Sequence, residues 1–187
     1  MSADKSRLEN MRVYLSGNCE NAVDNGADWR RKITPRLDAL GLTIFDPVHS
    51  NIDLSWGMHK DKQFDYVKKL RDEHKYEELS LKMKEVVKVD LRLVDCSDII
   101  IVHLDASKST TGTIDEIVTA CNQKKPVYLC SKQGMQSIPI WLFGRIPYNY
   151  IFETLDEIID GLNSIAFCPD EELPSRIDKR WMFVNKI

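Results

Sequence analysis

Two carboxylates and one hydroxyl-rich loop are the parts of this chain best suited to chemistry. Residues 99–117 read as a buried strand, a loop from Ser107 to Gly112 rich in hydroxyls, and a helix whose first turn is expected to carry Asp115 and Glu116. A carboxylate placed there lies at the carboxyl edge of a sheet, beside the positive end of a helix dipole, and is expected to stay ionised. Adjacent helical residues point about 100° apart. Only one of the pair can therefore face a pocket; Asp115 is read as the helix-start residue and Glu116 as the candidate nucleophile. A solvated helix carboxylate is the plain alternative for Glu116. Asp90 lies in the apolar helical stretch 86–94, where an unpartnered buried acid would cost on the order of several kcal/mol. It is either an ion-pair partner of Arg92 or Lys88, or a carboxyl group with a raised pKa that can donate a proton. Paired carboxylates at a sheet edge suit cleavage at an anomeric carbon. One attacks C1 and holds the sugar, while the other manages the proton on the leaving group.

The elements that must position these groups follow from hydrophobic periodicity. Residues 11–16 form a first strand ending at Gly17, followed by a polar loop over 18–28. Residues 29–40 have helical spacing (Trp29, Ile33, Leu37, Leu40) and stop at Gly41, with Pro35 expected to kink the helix or to place its start near Thr34. A short strand over 42–45 runs into Asp46-Pro47, and residues 48–57 are irregular. The charged stretch 60–88 predicts one or two helices, and 84–94 continues as helix into a turn at 95–97. A third strand over 98–104, a helix over 112–122, a strand within 124–130, a small strand at 150–152 and a helix over 154–164 complete the pattern. Residues 167–187 are expected to pack on the domain or on a neighbour.

Alternating strands and helices imply parallel pairing with right-handed crossovers. The expected fold is α/β: a three-layer flavodoxin-like or Rossmann-like sandwich with a parallel sheet of about five strands and a helical insertion near 60–88. One domain over 1–187 is expected, with residues 1–10 flexible and 165–187 a C-terminal extension. Ligands of such sheets bind outside the carboxyl ends of the strands. Here those ends are Ser16-Gly17-Asn18, Asp46-Pro47, the segment from Leu104 to Gly112, and Cys130-Ser131.

Charge and composition remove several alternatives. A net charge of -3 argues against polymeric nucleic acid as the main partner. Five cysteines, an odd number without a CxxC pair, leave neither zinc-ligand spacing nor a full disulfide framework. Cys96, Cys121 and Cys130 are read as small core residues, and a reducing cytoplasm as the compartment. The apolar runs are too short to span a bilayer, so no membrane partner is expected. His49, His59, His74 and His103 show no metal spacing, and His103, inside a strand, is read as a core residue. Trp56 and Trp141 could stack on a base or serve in packing. Asp46 could bind a sugar hydroxyl or close the turn before Pro47, and Asp105 could line the pocket or cap its loop. No Walker loop, GxGxxG or GxSxG occurs, which disfavours nucleotide kinases, dinucleotide enzymes and serine hydrolases.

The chain resembles the nucleoside 2-deoxyribosyltransferase family and the related 2-deoxynucleoside 5-monophosphate N-hydrolases. The resemblance is carried by Val13-Tyr14-Leu15-Ser16-Gly17, by the segment from Asp90 to Asp98, by Gly112-Thr113-Ile114-Asp115-Glu116 with Ala120, and by Lys125-Pro126-Val127. It implies that Glu116 is the nucleophile of a covalent 2-deoxyribosyl intermediate and that Asp90 assists protonation of the departing base. It implies further that Tyr14 and Gly17 shape the sugar pocket, with Asp46, Thr110 and Gly112 as further substrate-binding candidates. Thr110 falls where transferases tend to have aspartate and the monophosphate hydrolases serine. A hydroxyl cannot protonate a base as a carboxyl can, but it can bond a phosphate, so Thr110 tilts the expectation toward a nucleotide and hydrolysis. Asn18 stands where many relatives have proline or glycine. The resemblance implies a small-molecule nucleoside or nucleotide as ligand, no metal or organic cofactor, and a homodimer or larger homo-oligomer, with 138–143 and 181–184 as contact surfaces. A non-catalytic nucleotide-binding or sensing module is the alternative, and cleavage of a ribosyl or NAD-type bond is a third reading.

Overall fold

A computed structural model describes residues 5–19, 24, 26–49 and 60–181, the side chains of 60 and 61 excepted. Five strands form one parallel sheet: β1 (Arg12–Gly17), β2 (Thr43–Phe45), β3 (Ile99–Leu104), β4 (Val127–Ser131) and β5 (Ile151–Phe152), in the order β2-β1-β3-β4-β5. The order reverses at β1, so β1 and β3 are the strands whose carboxyl ends flank the switch point where such sheets bind ligands. Their register pairs Tyr14 with Ile100, Ser16 with Val102 and Gly17 with His103.

The helices are α1 (Ala27–Ala39), α2 (Lys60–Asp72), α3 (Tyr76–Cys96), α4 (Thr111–Asn122), the short α5 (Ile140–Phe143), α6 (Leu155–Ala166) and the short α7 (Leu173–Arg176). α1 and α6 pack together, α6 against β4 and β5; α3 and α4 pack together and against β1, with α2 on α3. This is the three-layer α/β sandwich expected from the alternation of elements. The charged stretch 60–88 resolves into α2 and the first half of α3. α1 runs uninterrupted through Pro35, where a kink or a later start was expected. β1, β2, β3 and β5 each begin one residue later than their apolar pattern suggested, and β4 runs one residue past the stretch expected to contain it.

Local chemistry accounts for several boundaries. Thr154 caps α6 by accepting from the Glu157 N–H at 3.2 Å, while Glu157 accepts from the Glu153 N–H at 2.9 Å, much like a capping box. The Lys125 ammonium donates to the Val94 and Asp95 carbonyls, orphan acceptors of the last turn of α3. That bond ties the helix bearing Asp90 to the strand edge at β4. At the same amino end of the sheet, Arg12 meets Asp98 through two guanidinium bonds of 3.0 and 2.9 Å.

The tail does pack on the body of the protein as far as Trp181. Its indole is buried, stands edge-on to Tyr128 and donates to the Tyr150 hydroxyl at 3.1 Å. Trp181 is thus an internal residue and not the contact surface expected of 181–184; residues 182–184 lie outside the described residues. In 138–143, Ile138 and Leu142 are buried while Ile140 and Trp141 are 89% and 78% exposed. Trp141 is therefore not in the core, and Trp56 and His59 lie outside the described residues. Cys130 is a core residue as expected, but Cys96 and Cys121 are only partly buried, because both sit on helix flanks. Among the described residues no helix is long and apolar enough to cross a membrane.

Candidate active site

The period of two in β1 sends Tyr14 and Ser16 to one face of the sheet and Leu15 and Gly17 to the other. α4 covers the first face. Thr113, Ile117 and Ala120 are its buried positions, and Glu116, three residues after Thr113 and four before Ala120, shares that stripe. Asp115 is exposed, so the choice between the two acids falls on Glu116 as expected. The Tyr14 hydroxyl donates to Glu116 Oε1 at 2.8 Å, and the Ser16 hydroxyl donates to Glu116 Oε2. Both carboxylate oxygens are held from the same strand.

α4 begins at Thr111, so Asp115 and Glu116 stand in its second turn and its first turn holds no acid. The helix dipole is felt mainly within the first turn, and the expectation that it keeps Glu116 ionised does not hold. Burial pushes the Glu116 carboxyl up to about 7; the Ser16 bond opposes this, the Asp90 charge adds to it, and the Tyr14 bond and the Arg30 charge oppose it. Burial also drives the Tyr14 phenol far up, with the Glu116 and Asp90 charges adding to the effect. Asp90 is therefore brought within electrostatic reach of Glu116 and Tyr14, from α3 across the α3–α4 contact. Arg92, one of the two ion-pair partners weighed for Asp90, lies 4.0 Å from Asp95.

On the other face of β1, Gly17 is pressed between β3 and α1. A Cβ there would stand 2.7 Å from the His103 carbonyl oxygen and 3.0 Å from Trp29 Cζ2, so only glycine fits. His103 lies against Trp29, ring centroids 5.2 Å apart. Burial, with Lys132 and Arg30 nearby, brings its pKa down to about 4, which fits the neutral packing residue expected. Gly112 is exposed in the first turn of α4, and a Cβ there would meet nothing within 4 Å. Thr110 is the N-cap residue, yet its side chain makes no capping bond.

The loop between β3 and α4 is fixed from both sides. Asn18 Nδ2 donates to the Ser109 carbonyl at 2.7 Å, and the Asp105 N–H donates to Asn18 Oδ1 at 2.9 Å. Burial acts to raise Asp105, but bonds from Ser107 and Gln133 and the Lys132 charge outweigh it and hold the carboxyl down at about 2. Asp105 thus caps its loop. Asp46 accepts from the Val48 and His49 N–H groups at 2.8 and 3.3 Å, meets His49 Nδ1 at 2.7 Å and lies 3.5 Å from Arg30 Nε. It closes the turn after β2, as one of its two readings had it, and adds a charge at the same sheet edge. Among the described residues no group of three or more metal-ligating side chains comes together.

Three members of this neighbourhood were not singled out from the sequence. Ser16 could have been, because it sits two residues from Tyr14 on a strand and must share its face. Arg30 stands three and seven residues before Ile33 and Leu37 on α1, on the helix's apolar stripe, and a cation in that stripe is a signal. Cys19 carries no such signal. Burial pushes its thiol up to about 11, and the nearby Arg30, Glu116, Asp90 and Asp46 charges locate it beside the site.

The chain is thus an α/β protein: a doubly wound parallel sheet with a partly buried, hydroxyl-held glutamate at its switch point. The profile of the family described as nucleoside 2-deoxyribosyltransferase like matches residues 10–134, well over half of the sequence, and the chain belongs to that family. None of the curated proteins matches it in sequence. Among solved structures it is similar to a 2-deoxyribosyltransferase from Bacillus psychrosaccharolyticus, with a TM-score of 0.55 and 20% identity over 80% of this chain and 90% of that one. It also matches a 2-deoxyribosyltransferase from Leishmania mexicana, with a TM-score of 0.42 and 13% identity over 66% of each chain. The first of these likenesses bears on the fold.

Proposed function

We propose that this protein cleaves the N-glycosidic bond of a 2-deoxyribonucleoside 5-monophosphate or its nucleoside, through a covalent glycosyl ester on Glu116. The observation that carries the reading is the Glu116 carboxylate, held through both oxygens by Tyr14 and Ser16 at the carboxyl edge of the sheet. Such bonds fix the direction of approach before substrate arrives, which lowers the cost of orienting a nucleophile. A carboxylate oxygen keeps a second lone pair after accepting one bond, so an ionised Glu116 can still attack.

In the first half-reaction a Glu116 oxygen bonds C1 of the sugar as the C1–N bond breaks. The electron pair of that bond stays on the base, and Asp90 supplies the proton that neutralises it. Two carboxylates within one another's field favour a state with a single charge, so an ionised Glu116 beside a protonated Asp90 is the competent form. In the second half-reaction Asp90, now a carboxylate, takes a proton from water or from an incoming base. The oxygen or nitrogen so activated bonds C1, and the ester bond to Glu116 breaks.

Thr110 supports water as acceptor and a phosphate on the substrate. The first-turn N–H groups of α4 are left without a side-chain cap, and the hydroxyl residues Ser109, Thr110 and Thr111 lead into that turn in the chain. Helix N-termini with free N–H groups receive phosphate readily. The experiment is incubation with a deoxynucleoside or its monophosphate, with and without a second free base. Free deoxyribose 5-phosphate indicates hydrolysis and a new nucleoside indicates transfer. A Glu116→Ala variant that binds ligand but has lost turnover supports the nucleophile. If wild type and variant bind nucleotide alike and neither turns it over, the chain is a sensing module and the proposal fails.

A further inference from the structure

α1 places a fully buried guanidinium under the carboxyl end of β1, at 0% exposure. Burying an isolated cation costs several kcal/mol even after relaxation, so its partners show what it is there to hold. Arg30 Nε and Nη2 donate to the Leu15 carbonyl at 3.2 and 3.1 Å, Nη2 also donates to the Gly17 carbonyl at 3.1 Å, and Nη1 donates to the Gly26 carbonyl at 2.7 Å. β2 pairs with β1 only as far as Tyr14. Arg30 bonds β1 beyond that point, where among the described residues no strand continues on the β2 side, and the two strand carbonyls it binds bracket Ser16.

The close fit extends to Gly26. Its φ is +77°, and a Cβ there would lie 2.6 Å from Arg30 Nη1. The glycine lets the turn carbonyl approach the guanidinium. Among the described residues Asp46 is the carboxylate that pairs with Arg30, with Nε–Oδ1 at 3.5 Å. The charge of Arg30 acts on Glu116, Tyr14, Cys19 and His103, all at the same strand ends.

We propose that Arg30 is a positioning residue: its fork fixes the end of β1 so that Ser16 meets Glu116, and its charge balances the acids gathered there. The groups that bear on Glu116 are Tyr14 and Ser16 from β1, Asp90 from α3, Arg30 from α1 and, just past β1, the Cys19 thiol. Tyr14 is neutral in the working range, Asp90 opposes ionisation, and Arg30 is the cation that favours it. Lysine cannot replace this arrangement, because one ammonium has no planar fork to span three carbonyls.

The part of the proposal concerning reaction rate rests on the function proposed above, whereas the ionisation of Glu116 can be read without substrate. The test is the titration midpoint of Glu116, followed by carbon-13 NMR of labelled glutamate in wild type, Arg30→Met and Arg30→Lys. The midpoint should rise by about one pH unit in Arg30→Met, the order expected for removing a nearby opposite charge, and by less in Arg30→Lys. If Arg30→Met does not fold, Arg30→Lys must still titrate above wild type. A folded variant whose midpoint equals that of wild type overturns the proposal. On the enzyme reading, kcat falls at pH 6 more than KM changes, and the deficit narrows at pH 8.5. Absence of turnover in wild type would count against that reading while leaving the midpoint to decide the role of Arg30.

Discussion

Tyr14 and Glu116 stand 102 positions apart in the chain, yet the phenol hydroxyl donates to the carboxylate at 2.8 Å. The bond joins β1 to α4, the helix that follows the neighbouring strand β3. It exists because β1 and β3 pair in the register that sets Tyr14 against Ile100. Ser16, one step further along the same face, binds the other carboxylate oxygen. The strand thus offers two donors to an acid whose burial would otherwise leave it protonated.

A first consequence is a pH dependence with a defined sign. Burial raises Glu116 to about 7, and the nucleophile must be ionised. On the proposed mechanism, kcat/KM for a deoxynucleotide is expected to climb with pH as Glu116 ionises, and to fall again at higher pH once Asp90 has lost the proton it donates to the base. A profile that is flat from pH 5 to 8 would remove Glu116 from the nucleophile's role.

The same shift couples to stability. A carboxyl whose folded pKa lies above its unfolded one favours folding most below the unfolded value, near 4.3, and loses that contribution as pH rises through about 7. The loss is at most about 4 kcal/mol. Glu116→Gln removes the titration. Its melting temperature relative to wild type should be higher at pH 8 than at pH 5, as scanning calorimetry at the two pH values would show.

Removing either hydroxyl should move the acid limb upward. Ser16→Ala and Tyr14→Phe each delete a bond to the charged form of Glu116, and bonds to the charged form lower a carboxyl pKa. Activity at pH 6 is expected to fall about 10- to 100-fold, with partial recovery at pH 8. A loss of equal size at both pH values would mean that the hydroxyls act on the substrate instead.

Asp90→Asn separates the two readings of that residue. Loss of a proton donor costs about 10²- to 10⁴-fold in kcat. Removing the like charge also shifts the acid limb of the profile below that of wild type. If Asp90 serves only in an ion pair, kcat will stay near the wild-type value, and a steady-state assay decides the matter.

Gly17→Ala tests packing alone. The added methyl would meet the His103 carbonyl oxygen at 2.7 Å, and backbone there cannot move without displacing β3. A destabilisation of about 1–3 kcal/mol, the usual range for overpacking, is expected from denaturant titration.

Period and punctuation in the amino-acid order were enough to place the strands, the main helices and the choice of Glu116 over Asp115. Those features depend on which faces of each element are apolar, and alternation or helical spacing records that directly. Ser16 and Arg30 were equally present in those periods but carried no chemistry until their partners were known. The electrostatic state of the site, by contrast, emerges only from how the elements pack. The true start of α4 takes Glu116 out of the first turn, and the packing of α3 on α4 sets the Asp90 charge near it. Desolvation and charge–charge energies depend on distances through space between residues far apart in the chain, and linear order does not encode those distances until the sheet has closed.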